Sequence, residues 1–575
     1  MKRTIPARTL TGILLASLAL LAAACFVRAF YGFDWSDETY YTALPYRYAM
    51  GDRLFSDGWE IHQLSVMFTL PLIRLFLLCS GGTTAGIMLY MRLLFVAFQF
   101  VTALFLFFSL RRRYGQVVAA LIAAIALMFA HFALPNFSYD TLVILFSFWS
   151  VGFLARAMDG RSPCVSAGFC GLFYAFAVQS YPQYVTSFLF FLLFWILRER
   201  RLRRCRQRDR QFPAFLLGIA GAVALFLLFV MTHSSLSALI ENLPYLLSDP
   251  MHEPQPVLAL LYEYLSTVYV VIGLPLLLLI GLTAACCCWR FLPACRRDAR
   301  MREWLLTGVA AAAIWMLLRL LFYDLHAYAK LNFLAMPLAF CCPALLLISN
   351  RDDLPLPALL FFLGTTLSVS VQLISSNMGI YAFSFPLLLA SVGAILAGRD
   401  CLTSPERRPR RLTPALCITA AMLLFAGISV LRIAGLYRVD GTLSEQTAVL
   451  ASGPAKGIRA TEQSAATYEK LVREITENTG DGPVLIVQCL PFGYLCDGVR
   501  TGTPSVWSVR STVRAIEYYN QNPDKRPETI LVIDASIGNS NLGYKVDLLA
   551  ASFPERAAYT ATELETCVVY QRTNG

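Results

Sequence analysis

Long apolar runs separated by short polar loops fill the chain to about residue 434, after which apolar and polar positions mix as in an ordinary soluble domain. Each run holds roughly 17 to 25 apolar residues, enough to cross ~30 Å of hydrocarbon. Spans are predicted at 10–30, 87–110, 116–133, 140–157, 165–181, 184–198, 212–232, 257–285, 304–322, 333–349, 355–373, 380–397 and 413–434, about thirteen in all. Residues 435–575 contain β-rich runs at 484–488, 529–534 and 567–571, and helical patterns at about 461–478 and 508–521. Alternating strands and helices predict a small α/β layer. The chain shows no internal repeat and no glycine-rich phosphate loop.

Charge fixes the orientation. Lys2, Arg3 and Arg8, Arg111 to Arg113, Arg156 and Arg161, the arginine run from Arg198 to Arg210, and the basic loops at 290–302, 351 and 399–411 alternate with arginine-free loops at 131–139, 181–184, 232–256 and 374–381. Positive-inside asymmetry then puts the N-terminus in the cytoplasm and the C-terminal domain outside. Residues 64–79 are apolar too, but a crossing there would move Arg111 to Arg113 outside, so this segment is predicted to lie along the outer interface. The net charge of +11 is accounted for by this topology and requires no nucleic-acid partner. At 57% hydrophobic and 15% charged residues, with a mean hydropathy of +0.58, the chain lacks the polar surface of a soluble protein this long. The predicted class is a polytopic α-helical protein of the cell membrane.

The sixteen cysteines define no framework, since most fall in spans or on the inner face, where a thiol acts as a small apolar group. Cys286-Cys287-Cys288 lies at a span end without histidines, which argues against a metal cluster. Cys489 and Cys496 could pair in an oxidising compartment. The first 30 residues imitate a signal peptide, but Ala22 stands three before Cys25 and further spans follow, so an uncleaved first helix is expected.

The first outer loop, within 31–86, carries Asp34, Asp37, Glu38, Asp52, Asp57, Glu60 and His62 among Tyr40, Tyr41, Tyr46, Tyr48 and Trp59. Adjacent carboxylates at the lip of a bilayer are costly and usually functional. Carboxylates bind hydroxyls and can remove a proton, while aromatic faces stack on the C–H surfaces of sugars. The alternative is that Ser36 or Asp37 caps an interfacial helix and that the aromatics form a headgroup belt. A second outer turn, Asn136 to Asp140, brings another acid that either caps the following span or faces the first loop. His252 and Glu253, Asp324, His326 and Lys330 are further outer candidates. Lys330, the only basic residue of its loop, either holds a phosphate or snorkels to the interface, and Arg92 has the same two readings.

These residues resemble the GT-C superfamily of membrane glycosyltransferases, in particular the protein O-mannosyltransferases and the aminoarabinose transferase of lipid A. The resemblance rests on Asp37-Glu38-Thr39-Tyr40-Tyr41 through Gly51, on Arg92-Leu93 opening a span, on Arg113-Tyr114-Gly115, and on Asp140 in the next outer turn. It departs from the family at His62-Gln63-Leu64, where His or Lys with two prolines is usual, and at Ser180-Tyr181-Pro182, in place of Thr-Lys-Gly. The resemblance implies a shared catalytic module over 1–232, a variable membrane region over 233–434, and an extracytoplasmic domain over 435–575. It also implies a polyprenyl-phosphate-linked sugar donor and a lipid, glycan or protein acceptor, in contact with membrane lipids. A phosphate leaving group needs little protonation, so a single carboxylate base suffices, with inversion at the anomeric carbon. On this reading Asp37 is the base, Glu38 and Asp140 support it, and Lys330 with Arg92 neutralises the phosphate. His62, Tyr40 and Tyr41 complete the substrate-binding set. A divalent cation bridging acid and phosphate is compatible with this chemistry, though no residue pattern indicates one. The rival readings are a lipid-linked glycan transporter or flippase, a glycan polymerase, and a non-catalytic membrane scaffold. Transporters favour ionisable groups within spans and repeat symmetry, whereas here the acids cluster in outer loops.

Overall fold

A computed structural model describes residues 6–204, 210–247, 255–292, 299–349, 355–374, 383–403, 411–487, 489–507, 512–534, 536–537 and 559–573. The first helices are α1 (Ala7–Arg28), α2 (Asp37–Ala49), α3 (Val66–Cys79), α4 (Ile87–Tyr114), α5 (Gln116–Met128), α6 (Tyr139–Met158), α7 (Pro163–Ser180), α8 (Phe188–Arg204) and α9 (Gln211–His233). There follow α10 (Leu236–Leu247), α11 (Val257–Ile272), α12 (Leu274–Phe291), α13 (Ala299–Phe322), α14 (Ala327–Phe333), α15 (Met336–Ile348), α16 (Pro355–Ile374), α17 (Leu387–Leu402) and α18 (Leu412–Ala434).

The protein is a polytopic helical membrane protein with a small C-terminal sheet region. Among the described residues, eleven helices are long and apolar enough to cross a membrane, and shorter apolar helices lie at Gln116–Met128, Leu236–Leu247 and Val257–Ile272. The span expected at 257–285 is interrupted at Gly273, which separates α11 from α12. Gly273 adopts φ +72, and a Cβ there would fall 2.7 Å from the Arg319 guanidinium of α13. That guanidinium donates to the carbonyls of Val270 and Val271 at 3.2 Å, satisfying the last turn of α11. The segment expected at the interface forms α3, which packs on α2 and α4.

One bundle packs α4 on α5 and α6, α6 on α7, and α7 on α9. A second is centred on α15 and α17, which are buried around most of their circumference and flanked by α13, α16 and α18. Helix α1 joins the two through contacts with α4, α5 and α18.

The C-terminal region adds β1 (Ala448–Val449), β2 (Arg459–Ala460), α19 (Glu462–Asn478), β3 (Pro483–Ile486), β4 (Arg500–Thr501), α20 (Thr512–Gln521), β5 (Thr529–Ile533), β6 (Tyr559–Glu563) and β7 (Cys567–Arg572). β1 and β2 form an antiparallel pair, and the main sheet runs β4-β3-β5-β7-β6. Its β4, β3 and β5 are parallel, and β7 pairs antiparallel with both β5 and β6. The three expected strands are present as β3, β5 and β7, and the two expected helices as α19 and α20. Cys489 and Cys496 are both buried and not joined to each other. Asp534 ends β5 at a turn, accepting a hydrogen bond from the Ser536 amide at 2.7 Å.

This region docks directly on the first outer loop. The Arg459 amide donates to the Phe30 carbonyl at 2.6 Å, and the Gly32 amide donates to the Arg459 carbonyl at 2.8 Å. Gly32 has φ +77, and a Cβ there would meet the Leu436 side chain at 2.6 Å, so glycine permits this close approach. Further along, the buried Arg47 of α2 donates to the Thr503 carbonyl at 3.0 Å, and the Trp59 amide to the Pro504 carbonyl at 2.8 Å.

Candidate active site

Helix α2 starts within the acidic motif. Asp34, 1% exposed, accepts from the Glu38 amide at 2.8 Å and from the Ser36 hydroxyl at 3.1 Å. The helix is therefore capped by Asp34, with no side-chain cap from Ser36. This frees the next two acids for other partners, and successive positions on a helix face different ways.

Glu38 points inward. It forms a two-pronged ion pair with Arg92 of α4, and both side chains are buried. The same guanidinium donates to the Ala29 carbonyl at 2.8 Å and to the Gly32 carbonyl at 2.6 Å. Arg92 thus fastens α2, α4 and the segment after α1. Each group is engaged by the other, so the support expected of Glu38 can be positional only, and Arg92 is not open to the phosphate expected for it.

Asp37 points the opposite way, toward the segment that follows α18. Its Oδ2 accepts a short hydrogen bond from the Tyr437 hydroxyl and lies 3.0 Å from the Arg438 guanidinium. Burial pushes the Asp37 carboxyl above the usual carboxylate range, while Arg438 and the Tyr437 hydrogen bond pull the other way. Asp34 is raised to about 7, first by burial and then by the neighbouring Asp37 charge. Arg438 itself adopts a left-handed φ of +47, unusual for an arginine, with its guanidinium over the Tyr437 ring at 4.9 Å.

The second outer turn closes over α2. Asn136 donates to the Glu38 carbonyl at 3.0 Å and to the Thr42 hydroxyl at 3.1 Å. Ser138 and Thr141 form a reciprocal cap that starts α6. Asp140, one residue into that helix, is buried, and its Oδ2 lies 3.8 Å from Nε2 of His131. Burial lowers the His131 pKa to about 3 and favours the neutral form of both groups in this contact. The adjacent Phe132 and Ala133 have φ of +53 and +61, a strained pair of non-glycine residues at the lip of the site.

An aromatic wall adjoins these acids. His62 stacks on Tyr139 with centroids 3.8 Å apart. The Tyr40 hydroxyl donates to Glu60 at 2.6 Å and lies 3.3 Å from His62 Nδ1, and Tyr41 meets Tyr139 edge-on. The C-terminal domain supplies Trp507, packed against Tyr40 at 5.3 Å, while its Val506 amide donates to Glu60 at 2.7 Å.

Of the remaining candidates, Lys330 is engaged elsewhere, while His326 stays near Asp37, since its neighbour Tyr328 packs on Tyr437 at 4.9 Å. Lys330 on α14 donates to the Leu321 carbonyl at 3.0 Å, capping the end of α13. His326 lies beside Tyr328 at the other end of that helix. His252 and Glu253 lie outside the described residues. Among the described residues, no group of three or more His, Cys, Asp or Glu side chains could hold a metal ion.

Tyr437, Arg438 and His131 escaped the sequence reading. One signal was available for Arg438: an arginine just beyond the expected outer end of the last span runs against the positive-inside pattern.

No protein-family profile matches the chain, and no curated protein matches it. Its similarities are to solved structures. It aligns with the arabinofuranosyltransferase AftD from Mycobacteria at 12% identity and a TM-score of 0.42, over 100% of this chain and 40% of that one. The chain therefore spans less than half the length of that enzyme. It aligns with the oligosaccharyltransferase AglB from Archaeoglobus fulgidus, solved with an inhibitory peptide and a dolichol-phosphate, at 11% identity and a TM-score of 0.47, over 99% and 74% of the two chains. It also aligns with ArnT from Cupriavidus metallidurans bound to undecaprenyl phosphate, at 12% identity and a TM-score of 0.44, over 97% and 98%.

Proposed function

We propose that the protein is a membrane glycosyltransferase that moves a sugar from a polyprenyl-phosphate-linked donor to an acceptor on the extracytoplasmic side, with Asp37 as general base. The observation that carries this reading is the state of Asp37. Of the two adjacent acids, it alone is not locked in a buried ion pair, and burial gives it a raised proton affinity. It lies in an outer loop that also holds the wall of Tyr40, Tyr41 and His62, groups suited to a sugar or a hydroxylated acceptor.

The chemistry follows. Asp37 takes the proton from an acceptor hydroxyl as its oxygen attacks the anomeric carbon. The bond from that carbon to the phosphate oxygen breaks on the opposite face, inverting the centre. Polyprenyl phosphate leaves with the electron pair and needs no acid to protonate it. Glu38 contributes by position, since its pairing with Arg92 fixes the helix that presents Asp37. Asp140, whose own burial favours its neutral form, supports the site by position at the start of α6.

Mass spectrometry of cell-envelope glycans, with the protein present, absent or replaced by Asp37→Asn, tests the reading. The expected result is a glycan lost in the deletion and not restored by Asp37→Asn. Restoration by that variant would favour a transporter or a scaffold.

A further inference from the structure

A groove of about 1220 Å³ lies directly behind the Asp37–Arg438 pair. Its lower wall is apolar, formed by Ala24 and Val27 at the end of α1 and by Ile433 and Ala434 at the end of α18. Val27 is 62% exposed, as suits a residue facing lipid. Its upper rim carries Arg438, Arg459 and His326, and no carboxylate lines it among the described residues. An opening that is apolar at the level of the helix ends and cationic just above them complements a molecule with an apolar tail and an anionic head.

The arginines differ in availability. Arg28 is committed, because its three guanidinium nitrogens donate to the carbonyls of Ile433, Tyr31 and Gly435 and hold the floor of the groove. Arg459 makes one long hydrogen bond, 3.4 Å, to the Thr447 carbonyl and lies over the Tyr31 ring at 5.7 Å, a face contact that leaves its in-plane donors for an anion. Arg438 keeps 40% of its side chain exposed while its other side touches Asp37. One guanidinium therefore reaches both the groove and the carboxylate.

We propose that this groove binds a lipid phosphate, with Arg438 and Arg459 on the phosphate and the ends of α1 and α18 along the tail, and that the bound phosphate draws Arg438 away from Asp37. The inference rests on the glycosyl-transfer reading and adds a coupling to it: arrival of the lipid phosphate releases the carboxylate that acts on the acceptor. Asp37 and the phosphate compete for one cation, so loss of the Asp37 charge strengthens lipid-phosphate binding. Simple repulsion between Asp37 and the phosphate would strengthen binding equally with and without Arg438, so the coupling requires the Asp37→Asn effect to disappear in the Arg438→Ala background.

The test is binding of farnesyl phosphate to the full chain in detergent micelles, with farnesol and inorganic phosphate as comparison probes. Binding is read without turnover. Farnesyl phosphate should bind at least about tenfold more tightly than either comparison probe, and Arg438→Ala or Arg459→Ala should each weaken it about tenfold, as expected for a lost charge-assisted bond. Arg438→Lys should recover part of the loss, and Asp37→Asn should tighten binding severalfold. Equal binding of inorganic phosphate would reduce the groove to a free-anion site, and equal binding of farnesol would reduce it to an apolar pocket. Either result overturns the proposal, as does unchanged affinity in both Arg438→Ala and Arg459→Ala. Unchanged affinity in Asp37→Asn overturns the coupling. Those failures would leave Asp37-dependent transfer intact, whereas loss of the transfer reading with arginine-dependent binding preserved would leave a lipid-phosphate receptor.

Discussion

Replacing Arg92 with methionine separates a structural arginine from a substrate-binding one. In the folded protein Arg92 is 2% exposed and Glu38 is fully buried, so the substitution leaves a carboxylate with no cation inside the protein. Breaking a buried pair by removing one partner costs about 3–5 kcal/mol. The carbonyls of Ala29 and Gly32 also lose their donor, at about 1 kcal/mol or more each. The double variant Glu38→Gln/Arg92→Met removes the stranded charge and retains only the smaller carbonyl penalty. It should therefore be more stable than Arg92→Met alone, with a coupling energy on the order of 2 kcal/mol, within the range for residues in contact. Thermal unfolding of the four proteins of the cycle in one detergent measures this. Wild-type stability in Arg92→Met, together with weakened donor binding, would refute the clamp and return Arg92 to the phosphate.

Two further outcomes follow from the acids around Asp37. Tyr437→Phe removes a hydrogen bond that favours the ionised carboxylate, so the acid limb of the kcat profile should move to higher pH. An unmoved limb would take Asp37 out of the rate-limiting protonation. Asp34 holds its proton to about pH 7 in the folded chain, against an ordinary value of 3.8. The folded state then binds more protons than the unfolded state between those values, and stability falls as pH rises through that window. Asp34→Asn should flatten this slope, unfolding at a higher temperature than wild type at pH 8, and an unchanged slope would assign it to other groups.

Much of this organisation was legible in the chain. Apolar runs of membrane-crossing length and the alternation of arginine-rich with arginine-free loops depend on local sequence, and so do the β-rich runs that became β3, β5 and β7. The break at Gly273 had a local signal as well, since Gly273 is followed by Leu274 and Pro275, a stop and restart pattern outweighed by the apolar content around it. The Asp37-Glu38 motif singled out the start of α2 as a candidate, but the different partners of its two acids were not readable. Those partners are set by which face of α2 meets α4 and which meets the chain after α18. Arg438 lies 401 positions from Asp37, and no periodicity connects them. Lys330 and Arg92 drew attention as lone cations near the outer surface, and both proved to be satisfied by carbonyls or by a carboxylate within the fold.

In the proposed mechanism Asp37 removes a proton during sugar transfer from a polyprenyl phosphate. The purified protein, reconstituted in liposomes with a radiolabelled polyprenyl-phosphate sugar and envelope extract as acceptor source, tests it most directly. Wild type should release polyprenyl phosphate and label the acceptor, while Asp37→Asn should do so at least about a hundredfold more slowly, as for loss of a general base. Equal rates from the two proteins would contradict the account.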